Sequence, residues 1–321
     1  MITTREFGQF EGQPVIEATL DSGKAKVSIL NYGCIFRDWQ VGGVPVIVGF
    51  DTFESYLENT WCFGILAGRV ANRIRRGKFT LNGTDYQLNC NDGANHLHGG
   101  TQGLGKRIWD MDASGDALVL RYHSPAGEEN YPGTVDFTVT IALDGTKLTM
   151  DMRAVTDTET PINLAQHNYY NLNGSGDVLG HTLVVDAESY TETEADLIPT
   201  GRILPVANTN LDFREPTPIG AIDPDRKGID DNLVLREGRD QSQPAAVLSG
   251  DQSGLTLKLW TDQPGLQLFN GPILNAGPHG PFCGMCLESQ YFPDSVNHPE
   301  WASILCTPEK PYAQKLVIDI A

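Results

Sequence analysis

The stretch Asp136–Ala154, DFTVTIALDGTKLTMDMRA, decides the fold class. Phe137, Val139, Ile141 and Leu143 alternate with polar residues, and Leu148, Met150 and Met152 resume the alternation after Asp144-Gly145. A period of two belongs to a strand with one buried face, and Asp-Gly between two such runs marks a hairpin. Taking Asp144-Gly145 as the two-residue turn predicts Ile141 opposite Leu148, Val139 opposite Met150 and Phe137 opposite Met152.

The same signature recurs along the chain. Gly77–Leu81, Asn82-Gly83 and Thr84–Leu88 read as a second hairpin that pairs Phe79 with Tyr86. Further strand-like runs cover Val15–Leu20, Ala25–Leu30, Ala117–Tyr122, His181–Val185, Leu255–Trp260, Leu266–Phe269 and Leu316–Ile320. The one modest helix candidate is Asp51–Asn59, too short to form a layer. The 34 Gly and 19 Pro are spread over the whole length, so no linker or compositional break divides the chain, and no fixed-period repeat is present. The expectation is an all-β, antiparallel chain with few short helices, one domain over residues 1–321, in a sandwich or distorted barrel with function on its loops and strand ends.

Composition narrows the partners. A net charge of −18 repels nucleic acid and anionic membrane and leaves a small neutral or cationic ligand as the natural partner. No run approaches the ~18 consecutive apolar residues of a spanning helix. Residues 1–12 lack the apolar core of an export signal, and six cysteines are too sparse for a disulfide framework. The expected compartment is therefore the cytoplasm, with reduced thiols. Cys283-Gly-Met-Cys286 spells C-x-x-C without a second ligand pair, and strand packing accounts for it better than metal or redox chemistry.

Several segments carry chemistry. Glu288 ends an apolar run just before turn residues, which suggests a carboxylate aimed out of a sheet edge as a proton acceptor. His167, set among Asn163, Gln166, Asn168 and Asn171, is the matching proton donor, its alternative being a hydrogen-bonded core histidine. His96 and His98 form H-x-H, which on a strand puts both imidazoles on one face, a metal-ligand spacing. The glutamate that a cupin pattern needs is absent, since Gln102 and Gly103 stand there, so hydrogen bonding to a ligand is the better reading of His98. Asp223 to Gly228 faintly resembles a calcium loop but carries Lys227 and Val234 at ligand positions. Arg69, Arg73, Arg75 and Arg76 form the dense basic patch of an acidic chain.

Taken together, GRVANRI (68–74), NHLHGG (95–100), QHNY (166–169), GIDDN (228–232), QPGLQ (263–267) and LESQ (287–290) resemble the aldose 1-epimerases, or galactose mutarotases, in order over nearly the whole chain. The resemblance implies an antiparallel β-supersandwich and no cofactor or metal. It implies interconversion of the α and β anomers of free aldohexoses such as galactose and glucose. By motif position Glu288 matches the catalytic base and His167 the general acid. Asn72, Arg73, His98, Asp230 and Gln267 match sugar-binding positions, with Asn168 and Tyr169 weaker members of the His167 motif. Departures are Gln166 and Asn168, where many relatives carry Asn and Ser, and Asp231, where a histidine is frequent. The scheme asks for an ionised Glu288 and a protonated His167, with Asp230 helping to hold the imidazolium. The sugar is the one partner, and the assembly a monomer or homodimer. Two alternatives remain at this stage: a hexose-6-phosphate 1-epimerase, which needs several basic side chains converging on phosphate, and a non-catalytic sugar-binding protein.

Overall fold

The Asp136–Ala154 hairpin supplies the third and fourth strands of a nine-stranded antiparallel sheet. In the computed structural model, which describes residues 1–58 and 60–321, its strands are Val135–Asp144 and Lys147–Thr156. Their register differs from the expectation by two residues: Ile141 faces Met150, Val139 faces Met152 and Phe137 faces Ala154. The loop is Gly145-Thr146, and Asp144 pairs with Lys147 across it. Gly145 has φ 61°, in keeping with a type II′ turn, which takes Gly at its first central position. A shift of two keeps every side chain on its face, so Phe137, Val139, Ile141, Leu148, Met150 and Met152 are all buried as the alternation requires. The second hairpin keeps its expected register, with Asn82 and Gly83 both at positive φ and the Phe79 and Tyr86 rings stacked at 5.0 Å.

Two further sheets complete the layers. A five-stranded sheet runs in chain order from Ile2–Phe10 to Val44–Pro45. A six-stranded sheet has the order Tyr169–Tyr170, Met285–Gln290, Gly265–Phe269, Asp230–Leu235, Ala187–Thr193 and Pro199–Pro205. All strand pairings among the described residues are antiparallel, and one isolated bridge, Val70 to Asn163, is parallel. The α-helices described are Phe53–Leu57 and Ile219–Ile222. The first falls inside the expected Asp51–Asn59, of which Asn59 lies outside the described residues. No helix among the described residues is long and apolar enough to cross a membrane.

One apolar cluster draws Val27 and Trp39 from the five-stranded sheet, Val139 and Met150 from the nine-stranded sheet, and Leu233, Leu266, Leu268 and Leu287 from the six-stranded sheet. Each of these leucines contributes roughly 2 kcal/mol by leaving water. Because alternate residues point to opposite faces, Leu287 in the core puts Cys286, Glu288 and Gln290 on the other side. Gln314 Nε2 donates to the Ser289 carbonyl at 2.8 Å, tying that strand to the nine-stranded sheet. Glu288 therefore sits within a central strand buried along its whole length, not at the sheet edge that the following turn residues suggested.

Candidate active site

Strand register assembles the acidic side of the site. Glu288, Gln267 and Asn232 are directly opposite one another on three neighbouring strands. One row away, Tyr169, Cys286, Phe269 and Asp230 are likewise opposite one another. Continuing the Tyr169–Cys286 pairing by one step of two places His167 across from Glu288. His167 Nε2 lies 3.6 Å from Glu288 Oε1, and both side chains are almost wholly buried. On the ring's other side, Nδ1 is 3.6 Å from Cys286 Sγ.

The basic side comes from loops. Asn72 and His98 both adopt positive φ, 62° and 51°, so the chain turns sharply at each. The Asn72 amide N–H donates to His98 Nδ1 at 3.2 Å, locking the two turns together. His98 then stands edge-on to His167 with ring centroids 5.1 Å apart. Arg73 Nε donates to Asp92 Oδ2 at 2.8 Å, and its Nη1 lies 3.7 Å from Asp230 Oδ2, while Gln267 Nε2 donates to Asp230 Oδ1 at 2.6 Å. All of these side chains but Gln267 line a cleft of about 640 Å³, walled by Trp61, Cys62, Leu97, Leu197, Tyr169, Phe269 and Ile273.

Burial governs the electrostatics. It pushes Glu288 well above the usual carboxylate range, with Asp230 repelling the charge further and Arg73 opposing. It pulls His167 down to about 4 and His98 well below the ordinary imidazole value. Asp230 is raised by burial, and Asp231 is raised to about 6 by burial and then by Asp230. Burial also keeps the Cys286 thiol protonated, and which side donates across its contact with His167 Nδ1 follows the imidazole tautomer. Donor atoms of His98, His167 and Glu288 lie within 4.8 Å of one another, a set whose chemistry suits a divalent cation.

These observations coincide with what is known of other proteins. The sequence profile of the aldose 1-epimerase family matches residues 17–319. The chain belongs to the aldose 1-epimerase family. Human galactose mutarotase is 35% identical over 97% of this chain and 96% of its own length, and aldose 1-epimerase of Escherichia coli K12 is 32% identical over 92% of each. Among solved structures, galactose 1-epimerase from Lactobacillus acidophilus superposes with a TM-score of 0.90 at 26% identity, covering 100% of this chain and 98% of that one. An aldose epimerase homologue from C. elegans, 24% identical and covering 94% of this chain and 98% of its own, shares the fold with the same TM-score.

Within this aldose 1-epimerase, Glu288, His167, His98, Arg73, Asn72, Asp230 and Tyr169 all line the cleft. Gln267 lies beneath Asp230 and orients it. Asn168 is not brought to the cleft: it points to the opposite side, accepting from Gln166 Nε2 at 2.9 Å and donating to Tyr170. Asp230 contacts Arg73 and Gln267, so its electrostatic effect falls on Glu288 and not on an imidazolium. His96 and His98 do not share a face, because positive φ at His98 ends the strand. His96 is instead a core histidine bonded to Tyr131 Oη and the Asn89 carbonyl, both at 2.6 Å. The basic patch also disperses. Arg69 is buried against Ser124 and the carbonyls of Ser124, Pro125, Pro132 and Gly133, and Arg75 pairs with Glu194. Asp223 accepts the amides of Lys227 and Gly228 at 2.7 Å, closing a turn. Cys286 and Phe269 were findable from sequence as the residues two positions from Glu288 and Gln267. Asp92, Trp61 and Ile273 sit on loops with no periodic signal.

Proposed function

We propose that this aldose 1-epimerase interconverts the α and β anomers of free aldohexoses such as galactose and glucose, without metal or cofactor, as a single-domain cytoplasmic enzyme that is a monomer or homodimer. The observation that carries the reading is the buried His167–Glu288 pair at 3.6 Å on the floor of a cleft ringed by hydrogen-bonding side chains.

Anomer exchange removes the proton of the C1 hydroxyl and adds one to the ring oxygen, breaking C1–O5 to give the open-chain aldehyde. Rotation about C1–C2 and the reverse transfers close the ring on the other face. Glu288 takes the C1 hydroxyl proton and His167 supplies the ring-oxygen proton. The pair holds one proton as a unit, and carboxylate with imidazolium and carboxyl with imidazole are tautomers of equal proton count. A sugar hydroxyl donating to Glu288 favours the carboxylate, and a ring oxygen accepting from His167 favours the imidazolium, so substrate binding favours the charged arrangement. Proton transfer to the sugar then leaves carboxyl, imidazole and a neutral aldehyde, the state that burial prefers. Arg73, His98, Asn72 and Asp230 hold hydroxyls and fix the reacting geometry.

Of the basic patch, Arg73 alone lines the cleft, alongside four acids, which favours a neutral sugar over a phosphorylated one. Polarimetry of freshly dissolved α-D-galactose and α-D-glucose, with and without EDTA, tests the proposal. The wild type accelerates the decay of rotation in EDTA, and Glu288→Gln lowers kcat by roughly 10²–10⁴-fold. Full activity in that variant rejects Glu288 as base, and loss of activity on chelation assigns a metal to His98, His167 and Glu288.

A further inference from the structure

A row of buried polar groups runs from Glu288 away from the cleft along the same face of the six-stranded sheet. Glu288, Gln267 and Asn232 face one another across strands, and in the next row Gln290 faces Gly265. Gln290 is 0% exposed and Asn232 1%. Both amide atoms of Gln290, Oδ1 of Asn232, Oε1 of Gln267 and Oε2 of Glu288 have no hydrogen-bond partner among the described residues. A Cβ on Gly265 would lie 2.6 Å from Asn232 Oδ1, so the glycine is what lets that amide reach over toward Gln290.

These five atoms cannot satisfy one another. With Glu288 as the carboxylate, four are acceptors and one, Gln290 Nε2, is a donor nitrogen, so the row is short of hydrogens. A buried polar atom without a partner carries its full desolvation cost, and native proteins meet such a need with ordered water held by two to four polar groups. We infer that Gln290, Asn232 and Gln267 form a buried water-binding site behind Glu288, with Gln290 and Asn232 acting as positioning residues whose bound water donates to Glu288 Oε2. The inference rests on Glu288 being the base. A donor on Oε2 favours the carboxylate and so opposes the push of burial toward the acid, keeping the group able to accept the C1 proton. It also fixes which oxygen is left facing His167 and the sugar.

Gln290→Met keeps the shape and removes both amide atoms. With α-D-galactose followed by polarimetry across pH, kcat falls about tenfold while KM stays within about twofold, and the acid limb of the kcat profile moves up by about one pH unit. The melting temperature falls, because Asn232 and Glu288 lose their water. An unmoved acid limb with an equal or higher melting temperature overturns the water site, since removing a dry, unpaired amide is neutral or stabilising. If Gln290→Met fails to fold, a high-resolution crystal structure of the wild type decides: ordered water bonded to Glu288 Oε2 and to Gln290 or Asn232 supports the site, and its absence rejects it. Full activity of Glu288→Gln rejects the base itself, whereas an inactive Glu288→Gln beside an unmoved Gln290→Met rejects only the water.

Discussion

Burial moves Glu288 up and His167 down, toward the same end, neutrality. The pair must therefore be treated together when pH enters. In the unfolded chain Glu288 titrates near 4.5 and His167 near 6.5, whereas in the folded protein His167 titrates near 4 and Glu288 well above 4.5. Taken alone, the depressed histidine stabilises the fold above 6.5 and loses this as pH falls toward 4. The raised carboxyl stabilises it below 4.5 and loses this as pH rises through its folded value. Above 4.5 the two slopes oppose each other for as long as the folded carboxyl keeps its proton. Above 6.5 the histidine slope is spent, and stability declines with rising pH for as long as the folded carboxyl keeps the proton that the unfolded one has lost. Glu288→Gln leaves the histidine slope alone: stability climbs from pH 4 to 6.5 and this contribution is flat above. Denaturant unfolding of both proteins across pH 4–8 reads this as a difference profile, other groups being common to both. Parallel profiles would mean that folding does not raise the Glu288 carboxyl. The sequence named both residues, which the structure sets 3.6 Å apart, but the direction of their shifts was not legible, because it comes from burial by segments far apart in the chain.

Turns carry the same lesson at the level of elements. The face pattern of Asp136–Ala154 fixed which side chains enter the core, yet the loop proved to be Gly145-Thr146, since alternation is unchanged by a slip of two. H-x-H suggested one shared face, and positive φ at His98 separated the two rings. Neither turn geometry is written in a period-two pattern. The turn after His98 is also where the site is most vulnerable. Gly99 has φ 86°, and a Cβ there would collide with the Gly68 carbonyl oxygen, which belongs to the loop that leads to Asn72 and Arg73. Gly83 also has positive φ, 76°, but faces open space. Gly99→Ala is expected to cost roughly 2–4 kcal/mol and to lower kcat by displacing His98, while Gly83→Ala costs about 1 kcal/mol with full activity. Urea unfolding with parallel polarimetry checks the pair. Equal effects would show that the Gly68–Gly99 approach does not position the site.

The all-β architecture was legible because the long strands of the nine-stranded sheet alternate, but the order of strands in the sheets was not, and with it went the position of Glu288. Its strand becomes central only when Tyr169–Tyr170 and Gly265–Phe269 flank it, a long-range pairing that no local run announces. Net charge, by contrast, reads directly from sequence, and the cleft repeats it locally: Asp92, Asp230 and Asp231 stand against Arg73 and Lys227. Arg73 is already engaged by Asp92 and Asp230, so an incoming phosphate meets an acidic wall inside an acidic protein. Such a field lowers the local concentration of anions and slows their entry, and it weakens as salt shortens the screening length to about 10 Å at 0.1 M. Galactose 6-phosphate and glucose 6-phosphate are therefore expected to show kcat/KM at least about tenfold below the free sugars at low ionic strength, equivalent to about 1.4 kcal/mol. Added salt narrows the gap by raising the phosphosugar value while the free-sugar value stays constant. Polarimetry at 10 and 300 mM salt makes the comparison. A phosphosugar that matches or exceeds the free sugar at low salt would mean that Arg73 and Lys227 bind phosphate despite their acidic neighbours, and would move the substrate to the phosphorylated class.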